Sequence, residues 1–238
     1  MENDVPYALR SDVVFGTEIN NGVYIMTASG DLVDKSTVSS TALGVVLITD
    51  NQRILISKAD ATDGTNTTLY WGKNLYGMDV AGITNISSSD AAKQDFNGKA
   101  NTDAIIAAYG QHNVDMDSRG MCKVLASYAE GGFTDWYVPA AGQLYEMYNK
   151  MSDINTALAK IGGTAFESDG YWSSSEYDSV YAWGTNFDTG DVDYGGKGYD
   201  LRVRFVRNIT TTKHLKEVVS ELNAILVDTN ETADDPII

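Results

Sequence analysis

Between Gly170 and Arg207 the chain reads GYWSSSEYDSVYAWGTNFDTGDVDYGGKGYDLRVRFVR, and no other stretch limits the possible folds as much. From Tyr177 to Asp200 most residues are Tyr, Asp or Gly. Tyr offers a large amphipathic contact area at small entropic cost, while Gly, Ser, Asn and Asp add adaptable polar contacts. That mixture suits a binding face better than a core. The two ends differ from the middle. Tyr171-Trp172-Ser173-Ser174-Ser175-Glu176 leads in. On the way out, Leu201, Val203 and Phe205 alternate with Arg202 and Arg204, the pattern of a half-buried strand. Residues 182–187 also alternate, with Trp183, Thr185 and Phe187 on one side, 188–191 read as a turn, and 192–194 as a short returning strand. A β framework firm at both ends is expected to hold the polar, aromatic middle rigidly.

The rest of the chain supplies that framework. Val13-Val14-Phe15 and Val23-Tyr24-Ile25-Met26 read as strands joined through Asn20-Asn21-Gly22. Residues 42–49 and 53–57 read as a hairpin of buried, β-branched strands, and 60–90 mostly as loop. Helices follow. Thr102 is placed to cap one running through Ala108, and Ser118 one carrying Met121, Leu125 and Tyr128. Pro139 opens a third with Leu144, Met147, Tyr148 and Met151 on one side. Ser152 is placed to cap a fourth with Ile154, Leu158 and Ile161, stopped by Gly162-Gly163. After Arg207, the residues Leu215, Val218, Val219, Leu222, Ile225 and Leu226 form a helical stripe, and 228–238 reads as a tail. The expected class is α+β: a β-rich segment at 1–40, a main domain at 41–208, and a helix and tail at 209–238.

Charge and composition narrow the function. The net charge of −16 repels phosphate backbones and anionic lipid, so neither nucleic acid nor membrane insertion is expected. One cysteine, Cys122, can form no intrachain disulfide and no thiolate cluster. The start of the chain has no basic, then apolar, leader pattern, so no signal peptide is expected. Asp188, Asp191 and Asp193 do not match the Asp spacing of a calcium loop and read as turn carboxylates. His112 lacks a nucleophile motif around it, and no phosphate-binding or dinucleotide fingerprint occurs. Cys122 reads as a small buried residue. Trp71, Trp136, Trp172 and Trp183 read as core. No cofactor, metal or catalytic set is expected.

An ordered series of short motifs points to a family. Trp136-Tyr137-Val138-Pro139, Gly142-Gln143-Leu144, Ile161-Gly162-Gly163, Tyr171-Trp172-Ser173-Ser174-Ser175-Glu176, Ala182-Trp183 and Arg202-Val203-Arg204 occur in that order. Gly44-Val45-Val46, Trp71-Gly72 and residues 97–102 precede them. Together they resemble the C-terminal lectin-like domain of gut Bacteroidetes and their phages, and the variable proteins of diversity-generating retroelements, over about residues 42–207. The resemblance implies a C-type lectin-like fold, also the fold of formylglycine-generating enzymes, whose cysteine pair this chain cannot supply. It implies that adenine-directed mutagenesis rewrites AAY codons, which reach Tyr, Asp, Asn, Ser and Gly but not Lys, Glu or Trp. The ligand-binding, variable positions implied are Tyr177, Asp178, Tyr181, Asn186, Asp188, Asp191, Asp193, Tyr194, Gly195, Gly196, Tyr199 and Asp200. Trp172, Glu176, Trp183, Phe187, Arg202, Val203 and Arg204 would be scaffold, and Lys197 departs from the variable pattern.

The resulting expectation is a binding protein rather than an enzyme. Its ligand would be a protein or glycan on a bacterial surface. It would sit on a phage tail or receptor-binding tip, or alternatively on a bacterial cell surface. A fixed lectin-like adhesin or a structural virion protein is the alternative role. The helical stripe at 215–226 is a candidate homo-oligomer contact.

Overall fold

The computed structural model describes residues 19–209, and Asn21–Ile209 form one compact unit. Its largest sheet has five strands. β1 (Gly22–Met26), β2 (Leu32–Asp34), β3 (Gly44–Ile48) and β4 (Arg53–Ile56) come from the first part of the chain. β5 (Leu69–Tyr70) stands apart from this sheet and pairs later with a strand near the site. The expected 42–57 hairpin is present as β3 and β4, paired antiparallel from Val45↔Ile56 to Ile48↔Arg53. β3 is buried at every position, as its unbroken Gly-Val-Val-Leu-Ile run requires. Strands β1 and β2 continue the same sheet, so the boundary drawn at 40/41 falls inside it. The strand read at 13–15 and the stripe at 215–226 lie outside the described residues.

Five helices follow: α1 (Ser89–Ala92), α2 (Gly98–Gln111), α3 (Met121–Leu125), α4 (Ala141–Asn149) and α5 (Met151–Lys160). Three of the expected caps are not caps. The second helix begins at Gly98, and Thr102 sits within it, donating to the Gly98 carbonyl at 2.7 Å and accepting from the Val138 N–H at 3.1 Å. Helix α3 starts after Gly120 with no side-chain cap, and Ser152 lies inside α5. A hydroxyl near a helix start is thus spent on a tertiary bond or on the preceding turn. Helix α5 packs Ile154, Ala157 and Leu158 against Val23, Ile25, Val45 and Leu47 of the large sheet.

The last part returns to strands: β6 (Gly170–Glu176), β7 (Tyr181–Asn186), β8 (Val192–Gly196), β9 (Asp200–Leu201) and β10 (Val206–Asn208). The large sheet has the order β10-β4-β3-β1-β2, and a second sheet the order β6-β7-β8, with β5 and β9 forming a small ribbon. The alternation at 201–205 does not make one strand. Leu201 ends β9, residues 203–205 are irregular, and β10 begins at Val206. Arg204 is not solvent-facing as alternation implied but fully buried. It pairs with Asp60 at 2.7 Å, donates to the Ser57, Thr164 and Ala165 carbonyls, and lies over the Phe166 ring at 4.5 Å. Partners 39 or more residues away in sequence are what allow a guanidinium to be buried there.

Candidate functional site

The three-stranded sheet carries the site, and its inner strand is anchored first. The tryptophans are buried as the sequence suggested, and each donates its indole N–H to a carbonyl. Trp71 donates to Ser173 at 2.8 Å, Trp172 to Leu69 at 3.0 Å, Trp183 to Ile86 at 2.9 Å and Trp136 to Glu130 at 3.2 Å. In β6, Ser173 donates to the Trp183 carbonyl at 2.7 Å, and Ser175 to the Asp95 carboxylate at 2.7 Å. The loop between β8 and β9 is tied down by Lys197. This residue, which broke the Tyr/Asp/Gly pattern, is fully buried and paired with Glu176, also fully buried. It also donates to the Met78 carbonyl at 2.8 Å and lies 4.9 Å from the Trp71 ring centre. Burial pushes the Glu176 carboxyl up and the Lys197 ammonium down, and their mutual contact opposes both shifts. Cys122 is fully buried, and burial pushes its thiol up to about 12.

The candidate positions do not form one surface. Strand pairing sets Trp183 opposite Tyr194 and Gly184 opposite Asp193, so successive residues of β7 and β8 face opposite sides. On one side lies an aromatic cluster. Tyr177 stacks on Tyr194 with centroids 4.2 Å apart, and Tyr181 meets Tyr194 edge-on at 5.4 Å. Trp183 backs both Tyr177 and Tyr194, at 5.5 and 5.6 Å. Tyr194 is 45% exposed and Tyr181 38%.

On the other side is a groove of about 230 Å³. Gly170, Trp172, Gly184, Gly195 and Leu201 line its apolar part, Thr185, Asn186, Asp191, Asp193 and Tyr199 its polar part, and Tyr194 of the aromatic cluster also borders it. Two glycines are there because nothing larger fits. A Cβ at Gly184 would stand 2.8 Å from the Tyr171 carbonyl oxygen, and one at Gly195 would stand 3.1 Å from the Trp172 ring. Tyr199, 69% exposed, stands beside Gly195.

Asp178 and Asp200 serve the scaffold, Gly196 is buried, and Asp188 lies outside the groove. Asp178 accepts from the Val180 and Tyr181 N–H groups at 2.7 and 2.8 Å and closes the β6–β7 turn. Gly196 is buried opposite Tyr181. Asp200 pairs with Arg119 and accepts from Thr68 at 3.0 Å. Burial pushes its carboxyl up, but these two partners outweigh burial and hold it below the usual carboxylate range. Asp188 is exposed on the β7–β8 turn, where its N–H is held by Asn186 at 2.8 Å. The residues missed by sequence reading are the groove linings Gly170, Trp172, Gly184 and Leu201. Alternation of Gly184 with Trp183 and Thr185 was the available signal, since a glycine between large strand residues marks a close approach.

Among the described residues no cluster of three or more His, Cys, Asp or Glu side chains is arranged to hold a metal ion. No described helix is long and apolar enough to cross a membrane.

A five-stranded sheet, a three-stranded sheet and a two-stranded ribbon, with helices between them in sequence and a β-loop face braced by buried tryptophans, make an α+β domain. The chain belongs to the Lcl C-terminal domain family, whose pattern matches residues 60–207. In structure it is similar to a fimbrial protein from Bacteroides ovatus ATCC 8483, with a TM-score of 0.57 and 16% identity. That alignment covers 81% of this chain and 49% of the fimbrial protein, so the chain spans about half of its length. No curated protein matches the sequence.

Proposed function

We propose that the protein is a non-catalytic, cell-surface ligand-binding module that binds through the outer strands of its three-stranded sheet. The observation that carries this is the exposure of Tyr181, Tyr194 and Tyr199 on a backing held by the buried Lys197–Glu176 pair and by the bonds of Trp172, Ser173 and Trp183. Exposed aromatic area on a rigid support is the usual basis of a binding face, because little entropy is lost when a partner arrives. The similarity to a fimbrial protein favours a bacterial cell surface over a phage virion. The ligand would be a protein or glycan presented by another cell.

Retroelement diversification is part of this proposal in a narrowed form. The positions free to vary are Tyr177, Tyr181, Asn186, Asp188, Asp191, Asp193, Tyr194 and Tyr199. Gly195, Asp178 and Asp200 are constrained by the contacts described above and would stay fixed, whereas Gly196 leaves room for a small side chain. Deep sequencing of the gene in its source population tests this. Adenine-site substitutions confined to the first set, beside a reverse transcriptase and a template repeat, are the expected result. A uniform gene leaves a fixed adhesin.

Binding itself is tested by presenting the labelled full chain to immobilised glycans and to intact bacteria. The expected result is retention that Tyr194→Ala and Tyr199→Ala each reduce at least severalfold, the size of loss typical of exposed aromatic anchors. Retention unaffected by both substitutions would mean a structural role for the domain, as a subunit of a surface assembly.

A further inference from the structure

The groove has a chemical character that the aromatic cluster lacks. Its floor is apolar, built from Leu201, the edge of Trp172 and bare glycine backbone. Its rim is acidic, and the acid is not neutralised from within. Asp191 and Asp193 make no ion pair among the described residues, whereas Lys197, Arg119 and Arg202 are committed elsewhere. Lys197 is spent on Glu176, Arg119 on Asp200, and Arg202 on Asp169 and Asp60. Asp191 uses Oδ2 to accept from Thr189, and Asp193 uses Oδ1 to accept from the Tyr194 N–H. Each therefore keeps an oxygen for an incoming donor.

We propose that the groove receives an extended segment of a partner protein that carries Arg or Lys side chains. This rests on the binding reading above and names its partner. The hydrocarbon stem of such a side chain lies on Leu201 and Trp172, as long cationic side chains lie on apolar surface with the charge kept outward. The charged head reaches Asp191 and Asp193, where charge-assisted hydrogen bonds form. Tyr199, standing over the same groove, offers its ring face to the cation. The volume of about 230 Å³ limits the groove to one long side chain at a time. The chain's net charge of −16 steers a basic partner toward it and repels an acidic one. A neutral sugar would leave the rim carboxylates uncompensated.

The test titrates the full chain with a labelled oligoarginine peptide, a glutamine counterpart and neutral oligosaccharides, following anisotropy. The variant is the double change Asp191→Asn with Asp193→Asn, which keeps an acceptor oxygen at both positions and so keeps the Thr189 and Tyr194 bonds. The control is Asp103→Asn on the exposed face of α2. The expected result is binding of the arginine peptide only. The double variant should weaken it by about two- to thirtyfold, the product of two partly exposed ion pairs. Added salt should weaken it further, and the control should leave it unchanged. Equal binding by the double variant, or an equal loss in the control, overturns the proposal in favour of diffuse attraction to an acidic chain. Neutral oligosaccharides bound through Tyr194 and Tyr199, without the peptide, overturn the ligand class and leave the binding reading standing. A chain that binds none of the probes overturns the proposal. If it also fails to bind intact bacteria, the binding reading falls with it.

Discussion

Strand β3 of the large sheet and strand β6 of the three-stranded sheet are both buried along nearly their whole length, yet they are built from opposite materials. β3 is Gly-Val-Val-Leu-Ile, flanked on both sides by paired strands and covered by α5. Its backbone is satisfied by ladders and its side chains only need to be apolar. β6 is Gly-Tyr-Trp-Ser-Ser-Ser-Glu, and its polar half is buried just as deeply. Each polar group there has a named partner: the Trp183 carbonyl for Ser173, Asp95 for Ser175, Lys197 for Glu176. An apolar strand tolerates small shifts, whereas a strand held by directional bonds does not. The exposed tyrosines lie on β7, on β8 and in the loop after it, which build outward from β6.

The sharpest way to break this contrast is Lys197→Met, which leaves Glu176 buried without its cation. A loss of about 3–5 kcal/mol is expected in denaturant unfolding. The sign with pH follows. Without Lys197, burial acts on Glu176 opposed only by the Val80 N–H, and it holds the folded pKa above the unfolded value. The native state of the variant then binds the proton more readily. Its deficit should be full above that raised pKa and shrink as pH falls toward about 4, where the unfolded carboxyl also protonates. A deficit independent of pH would mean the ion pair is not what holds this strand.

Leu47→Ala in β3 is expected to cost about 3 kcal/mol through a cavity, with no pH dependence. Gly184→Ala brings a Cβ to within 2.8 Å of the Tyr171 carbonyl oxygen, so a loss of about 1–3 kcal/mol is expected from overpacking. Tyr194→Ala, on the exposed face, should change stability by no more than about 0.5 kcal/mol. A large loss there would assign the tyrosine to the core rather than to binding. The smallest effect is at Asp63, whose carboxylate accepts from the Asn66 and Thr65 N–H groups in an exposed loop. Those bonds lower its pKa to about 2, the Asn66 contacts foremost. Because the folded value lies below the unfolded one, the contribution is complete above about pH 4 and lost as pH falls toward 2. An NMR titration of the Asp63 carboxyl checks it.

Much of the frame was legible because local pattern and tertiary role agree. The Leu43–Ile48 apolar run, the helix that carries Leu144 and Met147, and the buried tryptophans all follow from periodicity and composition. Where they diverge, the sequence misleads. Arg204 alternates with core residues and so reads as outward, but Asp60 and the carbonyls of residues 164 and 165 await it inside. Thr102 has the chemistry of a cap, but Gly98 permits the helix to begin one turn earlier, close against Ala140 and Tyr137. The Tyr/Asp/Gly stretch is legible as a composition but not as a geometry. Its residues are continuous in sequence, but the pleat sends them to two sides of a sheet. Lys197 was the one warning, since a lysine among tyrosines and glycines had to answer to something other than the ligand.

The bond from the Tyr194 N–H to the Asp193 carboxylate has a further consequence. Among the described residues β8 has no strand on its outer side, and a bare strand edge invites a second copy to add itself there. By occupying one of the edge donors and planting a negative charge beside it, Asp193 discourages such stacking.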